Sequence, residues 1–395
     1  MQRDPLDAWL RLSATPGLGR SSARQLLARF GSPQAVLQHS PASWRECIGA
    51  GPASALAKGR PDQQALLQTT WDWLQAGGDG QPARAIVALG DPAYPPALLH
   101  TPDPPLLLYL LGAAALLDGC RPFAPARCLA MVGSRNPTAQ GADNARRFAQ
   151  ALGAQGLCIV SGLALGVDAA AHEGALSVQP GALRPGQPAL TIAVVGTGLD
   201  RVYPRAHHGL AQRIAARGLL VSEYPLGTPP LPAHFPQRNR IISGLAQGTL
   251  VVEAALASGS LITARMAAEQ GREVLAIPGS IHAPQSRGCH ALIREGACLV
   301  ETVQDVLQEL PPATDAGLAG HGTAADAPPP ALALAATPRQ DEVLQALGYD
   351  PVSLDLLIAR SGLDAAQLQA RLLELELDGQ VARLPGGLFQ RIGLA

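Results

Sequence analysis

The chain has 395 residues, of which 47% are hydrophobic and 15% are charged, and its formal net charge is −1. This length suits two or three domains, and the near-neutral balance argues against a strongly basic protein that coats nucleic acid. The apolar runs are too short to span a membrane, and the six cysteines show no Cys-x-x-Cys spacing that would indicate a zinc site or a disulfide framework.

Residues 1–80 have the pattern of a helical domain. Within it, Pro16-Gly17-Leu18-Gly19 lies between two helical runs at residues 6–12 and 22–30. Two helices joined by such a turn are typical of a helix-hairpin-helix or SAM-like domain, whose turn amides can contact a nucleic-acid backbone. The same glycines can equally well cap a helix in a purely structural domain, and the sequence leaves both alternatives open.

Residues 81–310 alternate apolar strands with amphipathic helices. This pattern predicts an α/β domain, an extended Rossmann-like parallel sheet with helices on both faces. Because the carboxyl ends of parallel strands share one edge, we expect the polar clusters that follow these strands to converge on one site. The predicted strands are 128–132, 157–160, 191–195, 219–222, 249–253, 273–277 and 298–300.

The first of these clusters is Gly133-Ser134-Arg135, which stands between a strand and a helical run that starts near residue 138. The glycine would let the backbone approach a ligand, and the serine would add a hydroxyl and an amide. A helix N-terminus adds partial positive charge, and arginine adds a two-pronged donor. The sequence therefore predicts a phosphate site here.

The sequence argues against two kinds of site for soluble nucleotides, a dinucleotide fingerprint and a P-loop. Gly196-Thr197-Gly198 follows a strand, but Arg201 stands where the third glycine of a dinucleotide fingerprint is needed for close helix packing. A P-loop needs a lysine after its glycines, and the single lysine of the chain is Lys58. Dinucleotide binding is thus disfavoured, and a P-loop ATPase is excluded.

Asp168 and His172 lie four residues apart on one predicted helix face. Such a pair could serve acid/base or metal chemistry, but no second pair of ligands is recognisable nearby. We therefore expect structural hydrogen bonding for both, with Asp168 as a possible helix cap.

Residues 224–240 combine a proline-rich loop with aromatic and cationic side chains, ending in Phe235-Pro236-Gln237-Arg238-Asn239-Arg240. Aromatic surfaces beside arginines suit single-stranded nucleic acid, because every base has a π-face and every nucleotide has a phosphate. The alternative is a packed loop whose arginines pair with carboxylates such as Glu253. We favour binding, with Arg238 as the more exposed candidate and Arg240 as a structural brace.

The C-terminal part begins with a Pro/Ala-rich stretch, residues 311–336, which has the composition of a flexible linker. Residues 337–395 then predict helices at 339–347, 354–360 and 364–377 and a β-hairpin, the order found in a winged helix. This module has five arginines against eight acidic residues. It is a poor surface for duplex DNA, so a protein-contact role fits it better.

Taken in order, these segments resemble the DprA (Smf) family of DNA-processing proteins. The blocks that carry the resemblance are VGSR at 132–135, SGLALGVDAAAH at 161–172, GTGLDRVYP at 196–204, FPQRNRII at 235–242, SGSLITA at 258–264 and GREVLAIPG at 271–279. The resemblance implies a cytoplasmic, non-enzymatic protein without a cofactor. It would bind single-stranded DNA, form a homodimer and help to load a RecA-type recombinase during natural transformation.

The resemblance also implies which residues bind DNA. Arg135 would hold phosphate, with Ser134 and the glycine amides beside it, and Leu165 stands where many relatives have arginine. The expected DNA-binding set is Gly133, Ser134, Arg135, Gly162, Gly196, Gly198, Arg201, Tyr203, Phe235, Arg238, Asn239 and Arg240. The rival hypothesis is a nucleotide phosphoribohydrolase-like Rossmann enzyme. That enzyme needs a carboxylate in the pocket, for which Glu223 and Glu253 are candidates, although pairing with arginine suits both better.

Overall fold

The structure is a computed structural model that describes residues 2–77, 81–117, 123, 127–178, 189–310, 341–384 and 386–391. The predicted linker at 311–336 lies outside the described residues. The predicted domain boundaries at residues 80, 310 and 336 stay predictions. No helix among the described residues is long and apolar enough to cross a membrane.

The N-terminal part is helical, as predicted, and its helices enclose a small apolar core around Leu12, Leu26 and Leu56. In the predicted hairpin, Gly17 has φ +84° and Gly19 is the N-cap of the second helix. Both glycines thus serve the local backbone, as the structural alternative expects. The helices are α1 Arg3–Ala14, α2 Arg20–Phe30, α3 Pro33–Gln38, α4 Pro41–Ile48, α5 Ala50–Lys58 and α6 Gln63–Gln75.

A nine-stranded sheet forms the centre of the molecule, in the order β1-β2-β6-β5-β4-β3-β7-β8-β9. The seven predicted strands are present and parallel, as predicted for a Rossmann-like domain. Two further strands, β1 and β2, were not predicted and run antiparallel at one edge. The strands are β1 Ala83–Ala88, β2 Leu107–Gly112, β3 Cys128–Gly133, β4 Cys158–Ser161, β5 Thr191–Val194, β6 Leu219–Ser222, β7 Gly248–Val252, β8 Glu273–Ala276 and β9 Cys298–Leu299.

Helices cover both faces of this sheet, because the buried strands are apolar on both sides. Leu129 and Met131 of β3 point into one apolar cluster, and Ala130 and Val132 point into the other. The helices are α7 Pro96–Leu99, α8 Ala114–Leu117, α9 Ala139–Ala154, α10 Val167–Leu176, α11 His208–Arg217, α12 His234–Leu245, α13 Gly259–Glu269, α14 Arg287–Arg294 and α15 Val303–Glu309.

The C-terminal module is a winged helix, as predicted. Its three helices and three-stranded sheet bury Leu357, Leu368, Leu372, Val381 and Phe389 in a core of their own. Its Arg360 forms an ion pair of 3.2 Å with Asp143 of α9. The elements are α16 Glu342–Leu347, β10 Val352–Ser353, α17 Leu354–Ser361, α18 Ala365–Leu377, β11 Val381–Leu384 and β12 Leu388–Arg391.

Candidate nucleic-acid interface

A small pocket opens at the carboxyl edge of the sheet, where β3, β4 and β5 end. Its cavity is about 90 Å³, and cationic, aromatic and apolar side chains form its wall. We call it the arginine–aromatic pocket, and it is lined by Arg135, Gly162, Ala164, Leu165, Tyr203, Pro204, Phe235 and Arg238. Five of the twelve expected DNA-binding residues therefore meet here: Arg135, Gly162, Tyr203, Phe235 and Arg238.

The aromatic wall consists of Tyr203, in the loop after β5, and Phe235, in the first turn of α12. Their ring centroids are 5.4 Å apart and the ring planes are tilted by 38°. Tyr203 is 48% exposed, although its ring contacts that of Phe235. The pair therefore presents an open π-face on which a flat ligand can stack.

Arg238 forms the floor of the pocket, and the prediction that it is the more exposed arginine was wrong. It is 4% exposed, whereas Arg240 is 9% exposed. Its Nη1 donates to the carbonyl oxygens of Gly162, at 2.5 Å, and of Val194. Burial lowers the pKa of Arg238 to about 10, so the guanidinium remains charged at neutral pH.

The loop that holds Arg238 is itself fixed by Asp168. This buried carboxylate accepts hydrogen bonds from the backbone N–H groups of Gly162, at 3.1 Å, and Ala164, at 3.3 Å. Between them, Leu163 adopts a left-handed backbone with φ +58°. Asp168 is thus a structural residue, as expected. It anchors the loop from within α10 and does not act as the N-cap of that helix, a position held by Gly166.

Arg135 stands at the mouth of the pocket and is exposed. It forms no ion pair with any carboxylate in the described part of the chain. Its charge repels that of Arg238 and contributes to lowering the pKa of Arg238. Two cations are therefore held close together, and an anion placed between them would relieve their repulsion.

The predicted phosphate site at the N-terminus of α9 is already filled by the protein's own carboxylate. Thr138, the N-cap of α9, donates from its amide to Glu253 Oε2 at 2.8 Å and from its hydroxyl to Glu253 Oε1 at 2.5 Å. Burial raises the pKa of Glu253. A carboxylate at this position interacts favourably with the helix dipole, so Glu253 caps a helix. We had expected Glu253 to pair with an arginine, and among the described residues it does not.

Three of the four glycines that were expected to contact DNA, Gly133, Gly162 and Gly198, are explained by internal packing. A side chain at Gly133 would overlap the Val252 carbonyl of the neighbouring strand, and one at Gly162 would overlap the Arg238 guanidinium. Gly196 lies under Phe235, and a side chain at Gly198 would overlap Asp200. These positions shape the edge of the sheet, and only Gly162 lines the pocket.

The remaining expected residues lie around the pocket. Ser134 is half-buried and its Oγ accepts the Asn136 amide at 3.1 Å. Arg201 is exposed but outside the pocket wall, and it pairs with Asp200 at 3.0 Å. Asn239 follows Arg238 on α12 and is half-buried. None of these three is a wall residue of the arginine–aromatic pocket.

Arg240 is held by two carboxylates, which is the bracing role that the sequence suggested for it. Its guanidinium donates to both carboxylate oxygens of Glu223, at 2.9 and 2.6 Å, and to Asp103 at 3.0 Å. Arg20 and Arg24 of α2 bind the same Asp103. Most of the guanidinium donors of Arg240 are therefore used within the protein.

The sequence predicted only one part of this network, the pairing of Glu223 with an arginine. The network joins α2 of the helical domain to the end of β6 and to α12. Asp103 lies in a loop with no motif around it, so no local signal marked it. The network fixes the helix that carries Arg238, which lies two residues before Arg240.

His172 is structural as well. It is fully buried, and its Nδ1 lies 2.7 Å from Thr191 Oγ1, whose own proton is donated to the Ile159 carbonyl. The imidazole must therefore donate from Nδ1. Burial lowers the pKa of His172 to about 3, so the ring is neutral at physiological pH.

Comparisons with known proteins show what this chain is similar to. A family model described as DNA recombination-mediator protein A matches residues 85–311, and one described as DprA winged helix domain matches residues 325–387. Protein Smf of Escherichia coli is 40% identical over 328 residues, which are 81% of this chain and 80% of that protein. DNA processing protein DprA of Streptococcus pneumoniae is 48% identical over 219 residues, or 55% and 72% of the two chains. The solved structure of DprA from Streptococcus pneumoniae superposes with a TM-score of 0.63 at 34% identity, covering 79% of this chain and 99% of that one.

Proposed function

The chain belongs to the DprA/Smf family of DNA-processing proteins, and from that premise we propose that it binds single-stranded DNA in the arginine–aromatic pocket. One phosphate would be held between Arg135 and Arg238, and a neighbouring base would stack on Tyr203 and Phe235. The strand would cross the carboxyl edge of the sheet.

The observation that supports this proposal most strongly is the position of Arg135. It is an exposed arginine with no acidic partner among the described residues, and it lies beside a second, buried arginine whose charge it repels. Most arginines near this edge are instead neutralised by carboxylates, as Arg20, Arg24, Arg201 and Arg240 are. An exposed arginine without an acidic partner, next to a second cation and an open ring, suits a ligand with both phosphate and base.

A single strand fits this site better than a duplex. In a duplex the bases stack on each other, so their faces cannot reach Tyr203 without unstacking. The contacts are to phosphate and to ring faces, so the protein should bind with weak sequence preference and strong salt dependence.

We further propose that the protein works as a non-catalytic homodimer that loads a RecA-type recombinase during natural transformation, as its family membership suggests. The rival phosphoribohydrolase would need a carboxylate in the pocket. Glu223 is bound to Arg240 and Glu253 is bound to Thr138, and neither lines the arginine–aromatic pocket. This supports binding over hydrolysis.

The proposal is tested by titrating the full-length protein into labelled single strands and into duplexes of the same sequence, over a series of salt concentrations. We expect tighter binding to the single strand, with affinity falling linearly as salt rises on logarithmic axes. Equal affinity for both forms would contradict the proposal. Incubation with nucleoside monophosphates should release no free base, and release would favour the hydrolase.

A further inference from the structure

The last helix of the winged helix, α18, carries a second apolar face that points into solvent. Ala366, Ala370, Leu373 and Leu377 are all exposed, and Leu373 and Leu377 are 57% and 81% exposed. At 100° per residue, these four side chains lie within about 60° of each other around the helix axis. We call them the α18 stripe.

The fold of the module does not require this stripe. The opposite face of α18 already supplies Leu368, Leu372 and Leu375 to the buried core. An amphipathic helix normally places polar residues on its remaining surface. Two leucines one turn apart in solvent therefore indicate a surface that another molecule covers.

The charge around the stripe indicates what that molecule is. The C-terminal part of α18 carries Glu374 and Glu376, with Asp378 at its C-cap and no basic residue in its last turn. Negative charge at a helix C-terminus is unfavourable, because the helix dipole is already negative there. Of the three, Glu374 is paired, with Arg371. A cationic partner would reduce this unfavourable concentration of negative charge.

We infer that the α18 stripe is the docking site for a basic amphipathic helix of a partner protein. Its apolar residues would cover Leu373 and Leu377, and its Lys or Arg side chains would face Glu376 and Asp378. This mode, an amphipathic helix laid on an apolar stripe with complementary flanking charge, is common in protein recognition.

Two other occupants fit less well. In a DNA-binding winged helix the outward face of this helix enters the major groove, but here acidic and apolar residues would meet phosphates. A second copy of the chain packed symmetrically would bring Glu376 and Asp378 toward their own equivalents, which is repulsive.

The test uses a labelled synthetic peptide, an amphipathic helix with a leucine stripe flanked by lysines, and the full-length protein. A peptide of the same composition with scrambled order serves as the reference. We expect saturable binding of the amphipathic peptide, at least tenfold tighter than that of the scrambled one and weaker at high salt. Equal binding of the two peptides would overturn the inference.

Variants of the α18 stripe and of the acidic residues beside it test where the peptide binds. Leu373→Gln with Leu377→Gln should weaken peptide binding at least tenfold, and Glu376→Gln with Asp378→Asn should reduce its salt dependence. Leu99→Gln is the matched control, since Leu99 is 52% exposed on α7 and should have no effect. Glutamine is a good helix former, so the helix is retained.

Three outcomes would overturn the inference. The first is unchanged peptide affinity in the double leucine variant. The second is a lower oligomeric state of that variant in sedimentation, which would assign the stripe to a second copy of the chain. The third is a loss of duplex binding in the same variant, which would assign it to DNA.

Discussion

Asp168 and Arg238 hold the same loop from opposite sides. The carboxylate of Asp168 accepts the amide of Gly162, and the guanidinium of Arg238 donates to the carbonyl oxygen of that residue. The two charges also attract each other, and Asp168 is the neighbour that raises the pKa of Arg238 most. The geometry of the arginine–aromatic pocket therefore depends on a residue outside its wall.

We predict that Asp168→Ala destabilises the protein and weakens binding to single-stranded DNA. The substitution leaves the buried amide of Gly162 without an acceptor, at about 1–3 kcal/mol, and also removes the acceptor of the half-buried Ala164 amide. Asp168→Asn keeps an acceptor oxygen and should cost less. Urea unfolding measures the stability, and titration of the folded variants measures the affinity. Equal stability of the alanine and asparagine variants would contradict this role.

Arg135→Ala should weaken single-strand binding for every sequence, by about tenfold if one charged hydrogen-bonded contact is lost. It should also reduce the salt slope by about 0.7, the value expected for one phosphate on a single strand. Arg147→Ala is the matched control, because Arg147 is exposed on α9 away from the pocket wall. The assignment fails if both variants bind like the parent protein.

Substitutions of Tyr203 distinguish base stacking from the charged contacts to phosphate. Tyr203→Ala should weaken binding by about 1–3 kcal/mol, the range for loss of one base stack, and should leave the salt slope unchanged. Tyr203→Phe keeps the ring and should bind nearly as well as the parent. Binding by the phenylalanine variant as weak as that by the alanine variant would contradict stacking and assign the contact to the hydroxyl.

The strands of the parallel sheet could be predicted from the sequence, because buried parallel strands are continuous apolar runs. The winged helix could be predicted as well, because its hairpin has recognisable turn residues. The sequence was not sufficient for the antiparallel strands β1 and β2 at the edge. It also misjudged Arg238 and Glu253. Their partners Gly162 and Thr138 are 76 and 115 residues away along the chain. No local pattern records such contacts, so only the folded structure distinguishes a buried cation from an exposed one.

Because His172 is buried, the stability of the folded protein should decrease as pH falls. The pKa of His172 is about 3 in the folded protein and near 6.5 when unfolded, so the unfolded state takes up a proton first as pH falls. Its contribution to stability is therefore fully present above pH 6.5. It is lost at up to about 1.4 kcal/mol per pH unit as pH falls toward 3. His172→Gln cannot titrate there, so the stability difference between the parent and this variant should shrink between pH 6 and 4. A constant difference would contradict burial of the neutral ring.

Leu165 offers a gain-of-function test of the same pocket. It is 46% exposed in the pocket wall. Leu165→Arg should add a phosphate contact and steepen the salt slope by about 0.7. The gain in affinity should be greatest at low salt and should be limited by repulsion from Arg135 and Arg238, which already share the pocket. Leu165→Gln is the control, because it adds polarity without charge and should leave the slope unchanged. If the arginine variant behaves like the glutamine variant, the strand does not pass this side of the pocket, because a new exposed cation beside a bound phosphate must change the number of released counterions.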